Sequence, residues 1–115
     1  MKQLDDLHEK IAKGQIDLDL RNAIADRIVE FIEQNKASLG MWEKFHLGQS
    51  ISALGTINSS DDQPLDTWFK LSLLSLEKAM VPEGERGEEN EDIDEKVNSV
   101  TYEMLVGALG ELKTN

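Results

Sequence analysis

Cysteine is absent from the 115-residue chain, proline occurs only twice, and aromatic residues make up 5% of it. Without cysteine there is no disulfide framework, no thiolate metal site and no thiol nucleophile. Basic side chains are also scarce: 12 Lys and Arg stand against 23 Asp and Glu, a formal charge of −11. That balance argues against sequence-independent binding to DNA, RNA or an anionic membrane, each of which selects a basic surface. No apolar run approaches the roughly 18 residues of a membrane-spanning helix. The N-terminal Met1-Lys2-Gln3-Leu4-Asp5-Asp6 lacks the apolar stretch of a signal peptide, so a cytoplasmic location is expected. Hydrophobic residues nevertheless reach 39%, enough for a packed core, and the length suits one domain over residues 1–115.

The apolar spacing is helical almost throughout. Leu4, Leu7 and Ile11 recur at i, i+3 and i+7, and Gly14 stands where a helix closes in a left-handed residue. A second run holds Leu20, Ile24, Ile28, Phe31 and Ile32, with Asp17 or Asp19 as N-cap and Asn35 as its stop. The third begins after Gly40 and carries Met41, Trp42, Phe45, Leu47, Ile51 and Leu54, although Gly48 and Gly55 weaken it. Pro64 follows a polar loop and is expected in the first turn of a fourth helix. That helix, Leu65 to about Met80, is apolar on most sides, the pattern of a helix central in its bundle, and Pro82 ends it. A last run carries Ile93, Val97, Val100, Met104, Ala108, Leu109 and Leu112. No β-branched alternation is long enough for a strand. The expected fold is all-α: a single-domain bundle, or short helical-hairpin array, of about five helices.

Charge is distributed unevenly along this framework. Residues 1–60 carry 7 basic and 9 acidic side chains, net −2, whereas residues 61–115 carry 5 and 14, net −9. Eight carboxylates fall in the stretch 83–95 between the fourth and fifth helices: Glu83, Glu85, Glu88, Glu89, Glu91, Asp92, Asp94 and Glu95, against a lone Arg86. Mutual repulsion and two glycines predict an extended, solvated acidic loop. Facing a basic surface, that charge would speed association and disfavour wrong partners. Asp61, Asp62 and Asp66 offer a second acidic patch. Asn90-Glu91-Asp92-Ile93-Asp94-Glu95 is not an EF-hand loop, because the glycine needed at its sixth position is missing.

Catalytic and metal signatures are weak. Asp5-x-x-His8 and Glu43-x-x-His46 each place a carboxylate and an imidazole one helical turn apart, as in the di-metal sites of four-helix bundles. One pair begins with Asp, the helices are short, and both histidines border apolar stripes, so core-edge or surface histidines are expected and no metal or other cofactor. There is no Gly-x-Ser-x-Gly elbow and no phosphate-binding glycine loop; Gly107-Ala108-Leu109-Gly110 sits inside a helical pattern. An enzyme is therefore not expected. Trp42, Phe45, Trp68 and Phe69 are expected to pack in the core, with an exposed tryptophan or Tyr102 as the alternative anchor for a partner.

Together these features predict a non-enzymatic protein that binds and inhibits a basic partner through its carboxylates. The sharpest form is a bacterial immunity protein or antitoxin neutralising a toxic nuclease, whose nucleic-acid cleft is necessarily basic. The alternative is a structural or adaptor domain of a larger assembly, held by an apolar groove between helices. Either leaves room for homo-oligomerisation.

Overall fold

The computed structural model describes residues 4–57, 64–85 and 102–114, which form five α-helices and one short 3₁₀ turn without a strand. The helices are α1 (Asp5–Ala12), α2 (Leu18–Gln34), α3 (Met41–Thr56), α4 (Leu65–Ala79) and α5 (Tyr102–Thr114). This is the small all-α bundle that the apolar periodicity predicts.

Local chemistry sets the helix ends. Gly14 adopts φ +75° just past α1, a left-handed conformation open to glycine at little cost. Asp17, not Asp19, caps α2: its Oδ1 accepts the Leu20 N–H at 2.9 Å, while Asp19 lies inside the first turn. Asn35 closes that helix by donating its side-chain amide to the Phe31 carbonyl at 2.9 Å. At the start of α3 the Glu43 carboxylate reaches back to the Gly40 N–H, 3.0 Å away. The helix then runs through Gly48 and Gly55 to Thr56, because burial of Leu47, Ile51 and Leu54 outweighs about 1 kcal/mol lost at each glycine. Pro64 stands one residue earlier than expected. Its ψ of 145° is extended, so it precedes α4 rather than joining its first turn.

One core cluster joins all five helices through Leu7, Ile24, Ile28, Leu54, Phe69, Leu73, Leu105 and Leu109, among others. Polar ties fix the mutual placement of the helices. Trp42 Nε1 donates to the Lys78 carbonyl at 2.6 Å, and Ser50 Oγ to the Ser72 carbonyl at 2.8 Å. Contacts of 42 with 78 and of 50 with 72 run in opposite chain directions, so α3 and α4 form an antiparallel pair. Arg21, 3% exposed, donates to the Leu112 carbonyl in the last turn of α5, where a cation also complements the helix dipole. The Arg27–Asp6 ion pair, 2.8 Å, ties α2 to α1, and His8 pairs with Glu77 between α1 and α4.

Three expectations are corrected here. The α4 helix is not buried all round: Leu65, Leu71 and Leu74 are 45%, 41% and 49% exposed, because among the described residues only α1, α2 and α3 pack on it. On α5 the buried stripe is Leu105, Leu109 and Leu112, so Met104, expected in the stripe, turns outward at 56% exposure. The acidic stretch does not begin extended, since residues 83–85 form a 3₁₀ turn whose Glu85 N–H donates to the Pro82 carbonyl at 2.9 Å.

Candidate functional site

The helix that the other two flank is α3. It packs extensively along α4 and also contacts α5, whereas α4 and α5 do not pack on one another. Two walls separated above a common floor leave a slot, and the structure holds one of about 580 Å³ there. That volume falls in the range of about 300–1,000 Å³ typical of binding clefts.

Helical periodicity explains how each segment contributes its lining. The floor presents Phe45, Gly48, Gln49 and Ser52 from α3, residues spaced i, i+3, i+4 and i+7 on one side of the helix. Trp68, Leu71 and Ser75 come from α4, again at i, i+3 and i+7. The opposite wall is Met104, Leu105 and Ala108 of α5. Among the described residues Gln49, Ser52 and Ser75 are the polar lining side chains apart from the indole of Trp68, so the described lining is predominantly apolar. The Nε1 of Trp68 is shielded from solvent and has no hydrogen-bond partner among the described residues. An N–H in that state costs about 1–3 kcal/mol relative to a satisfied one.

The floor is rigid behind its lining face. Ser50 and Ser72 are both fully buried and exchange hydroxyl contacts across the α3–α4 seam, with Ser72 Oγ 3.2 Å from the Ser50 carbonyl and the two Oγ atoms 3.0 Å apart. Small side chains let the two backbones approach, which fixes the angle between floor and wall. His46, 2% exposed, meets the Trp42 and Phe45 rings edge-on at 4.5 and 5.1 Å between centroids, backing the aromatic end of the floor.

The aromatic residues divide between two roles. Phe69 and Trp42 are buried, as core packing predicts, while Phe45 and Trp68 are half-buried and line the slot. Tyr102 is half-buried against the core, with the Lys36 ammonium 6.0 Å from its ring centroid. The two carboxylate–histidine spacings do not converge: His8 engages Glu77 on the surface, and His46 lies among aromatic rings. Among the described residues no three His, Asp or Glu side chains are placed to hold a metal ion.

Of the carboxylates expected to meet a partner, Asp66 lies in α4, half-buried and 3.4 Å from Lys70 one turn on. Glu85 is exposed in the 3₁₀ turn, and Glu83 begins that turn. Asp61, Asp62, Glu88, Glu89, Glu91, Asp92, Asp94 and Glu95 lie outside the described residues. The sequence indicates an apolar groove between helices only in general terms. The signal for this one was the surplus of leucine around α4, read as burial on every side.

No helix among the described residues is long and apolar enough to cross a membrane. Compared with known proteins, the chain matches no family model, no curated protein and no solved structure.

Proposed function

We propose that this chain is a non-catalytic binding protein that seats an apolar segment of a basic partner protein in the slot between α4 and α5. The observation carrying this reading is the slot itself: about 580 Å³, apolar, floored by α3 and rimmed by the exposed Leu71 and Met104. Exposed apolar groups gathered at a concavity mark interaction sites, unlike apolar residues scattered singly over a surface. The formal charge of −11 supplies the second half of the reading, since it attracts a cationic partner over distance and repels anionic competitors. Apolar contact then slows dissociation while carboxylates speed encounter.

An immunity protein or antitoxin that neutralises a toxic nuclease is the narrower form of this proposal, with the segment at residues 83–95 and Asp61, Asp62 and Asp66 as the steering carboxylates. The adaptor form shares the slot and differs in salt dependence. Tagged wild-type chain and its Leu71→Asp variant, each used to capture partners from host lysate at low and at about 0.5 M salt, separate the two, because screening shortens the electrostatic range severalfold. The expected result is one basic protein at near-equal stoichiometry, weakened by salt and lost from the variant. A partner retained equally by Leu71→Asp removes the slot from the interface. A salt-resistant assembly lost from the variant assigns the chain to the adaptor form. For the nuclease form, adding the chain to the recovered partner must stop its cleavage of nucleic acid.

A further inference from the structure

We infer that the segment this slot accepts is an α-helix of about two turns' contact, basic on its outer side, and not an extended strand or a second copy of this chain. The inference rests on the slot reading above and specifies its occupant. Floor and wall each run over the same axial length: Phe45 to Ser52 on α3 and Trp68 to Leu71 to Ser75 on α4 are seven residues apart. Seven residues of helix rise about 10 Å, so the slot is two turns long. It lies over α3 where, among the described residues, α4 and α5 do not pack on one another, a position one further helix fills in a bundle.

Backbone chemistry separates a helix from a strand. All three described boundaries are helices, whose N–H and C=O groups are already bonded internally, so no sheet edge is on offer among the described residues. Against the apolar wall of Leu71, Met104, Leu105 and Ala108 an extended segment would bury a run of main-chain groups that, among the described residues, Gln49, Ser52, Ser75 and the Trp68 Nε1 could meet only in part, at about 1–3 kcal/mol for each group left unmet. A helix satisfies its own backbone and offers side chains at i, i+3 or i+4, and i+7, the spacing of the floor. Charge disfavours a second copy, because two chains of −11 repel, whereas lysines on the outer face of a docked helix are attracted.

Two displayed peptide libraries of about 16 residues, equal in composition and lysine content, test this against the full chain. In one, apolar positions follow i, i+3, i+4, i+7; in the other they alternate. Binders are then measured against wild type, Leu71→Asp and Met104→Asp, one substitution on each wall, both at exposed positions and with helicity checked by circular dichroism. The expected result is enrichment from the helical library, with binding weakened about tenfold or more by either substitution. Slot-sensitive binders arising equally or mainly from the alternating library overturn the helical occupant while leaving the slot as the interface. Binders indifferent to both substitutions, or none from either library, overturn the slot reading itself. A wild-type dimer in sedimentation that Leu71→Asp dissociates gives the slot to a second copy and also overturns the inference.

Discussion

The Ser50–Ser72 seam permits a quantitative test of how the floor of the slot is held. Both side chains are fully buried, and each hydroxyl has a carbonyl of the opposite helix within reach, at 2.8 Å for Ser50 and 3.2 Å for Ser72. The hydroxyls also lie 3.0 Å from one another. If the carbonyls are the principal acceptors, Ser50→Ala removes one hydrogen bond yet leaves Ser72 Oγ its acceptor, and the converse holds for Ser72→Ala. No buried donor is orphaned, so each single change costs about 0.5–1.5 kcal/mol. The carbonyls keep their intrahelical bonds in the double variant, whose cost is then close to the sum, because each change removes a separate hydrogen bond. If instead the two hydroxyls chiefly satisfied each other, either single change would strand the other at about 1–3 kcal/mol, and the second substitution would cost little more. Urea unfolding followed by tryptophan emission resolves the cycle: about 1 kcal/mol moves the midpoint by about 0.5–1 M when m is about 1–2 kcal/mol/M. A double variant no less stable than either single variant would refute the carbonyl-centred arrangement.

Three further outcomes are expected. On α4, Leu73→Ala (0% exposed) should cost about 2–5 kcal/mol in denaturant, whereas Leu71→Asp (41% exposed) should cost only about 0.5–1.5 kcal/mol through helix propensity and partial burial. Asp17→Ala should lose about 1 kcal/mol of thermal stability through its cap, and Asp19→Ala only a few tenths; equal losses would contradict the assigned cap. Acrylamide should quench Trp68 in the Trp42→Phe variant more strongly than Trp42 in Trp68→Phe, since Trp42 is only 7% exposed, and a bound partner should shield Trp68 alone.

Elements whose signals are local were legible in the sequence. The apolar stripe Leu4–Leu7–Ile11, the left-handed Gly14, the stop at Asn35 and the helical run after Gly40 need only neighbours within a turn or two, and all stand as expected. The cap of α2 was narrowed to two aspartates, and one hydrogen bond chose Asp17. Periodicity also marked Trp68, Leu71 and Met104 as apolar faces, but it could not distinguish a face pressed into the core from one lining a slot.

That distinction belongs to helices far apart in the chain. Whether Leu71 is covered depends on α5, some thirty residues downstream, packing on α2 and α3 rather than on α4. Composition and spacing determined an acidic, all-α chain with about five helices. Tertiary packing decided that α3 serves both α4 and α5 and that, among the described residues, no helix fills the space between those two. A hydrophobic pattern records how much apolar surface a helix carries, and only the three-dimensional arrangement determines what covers it.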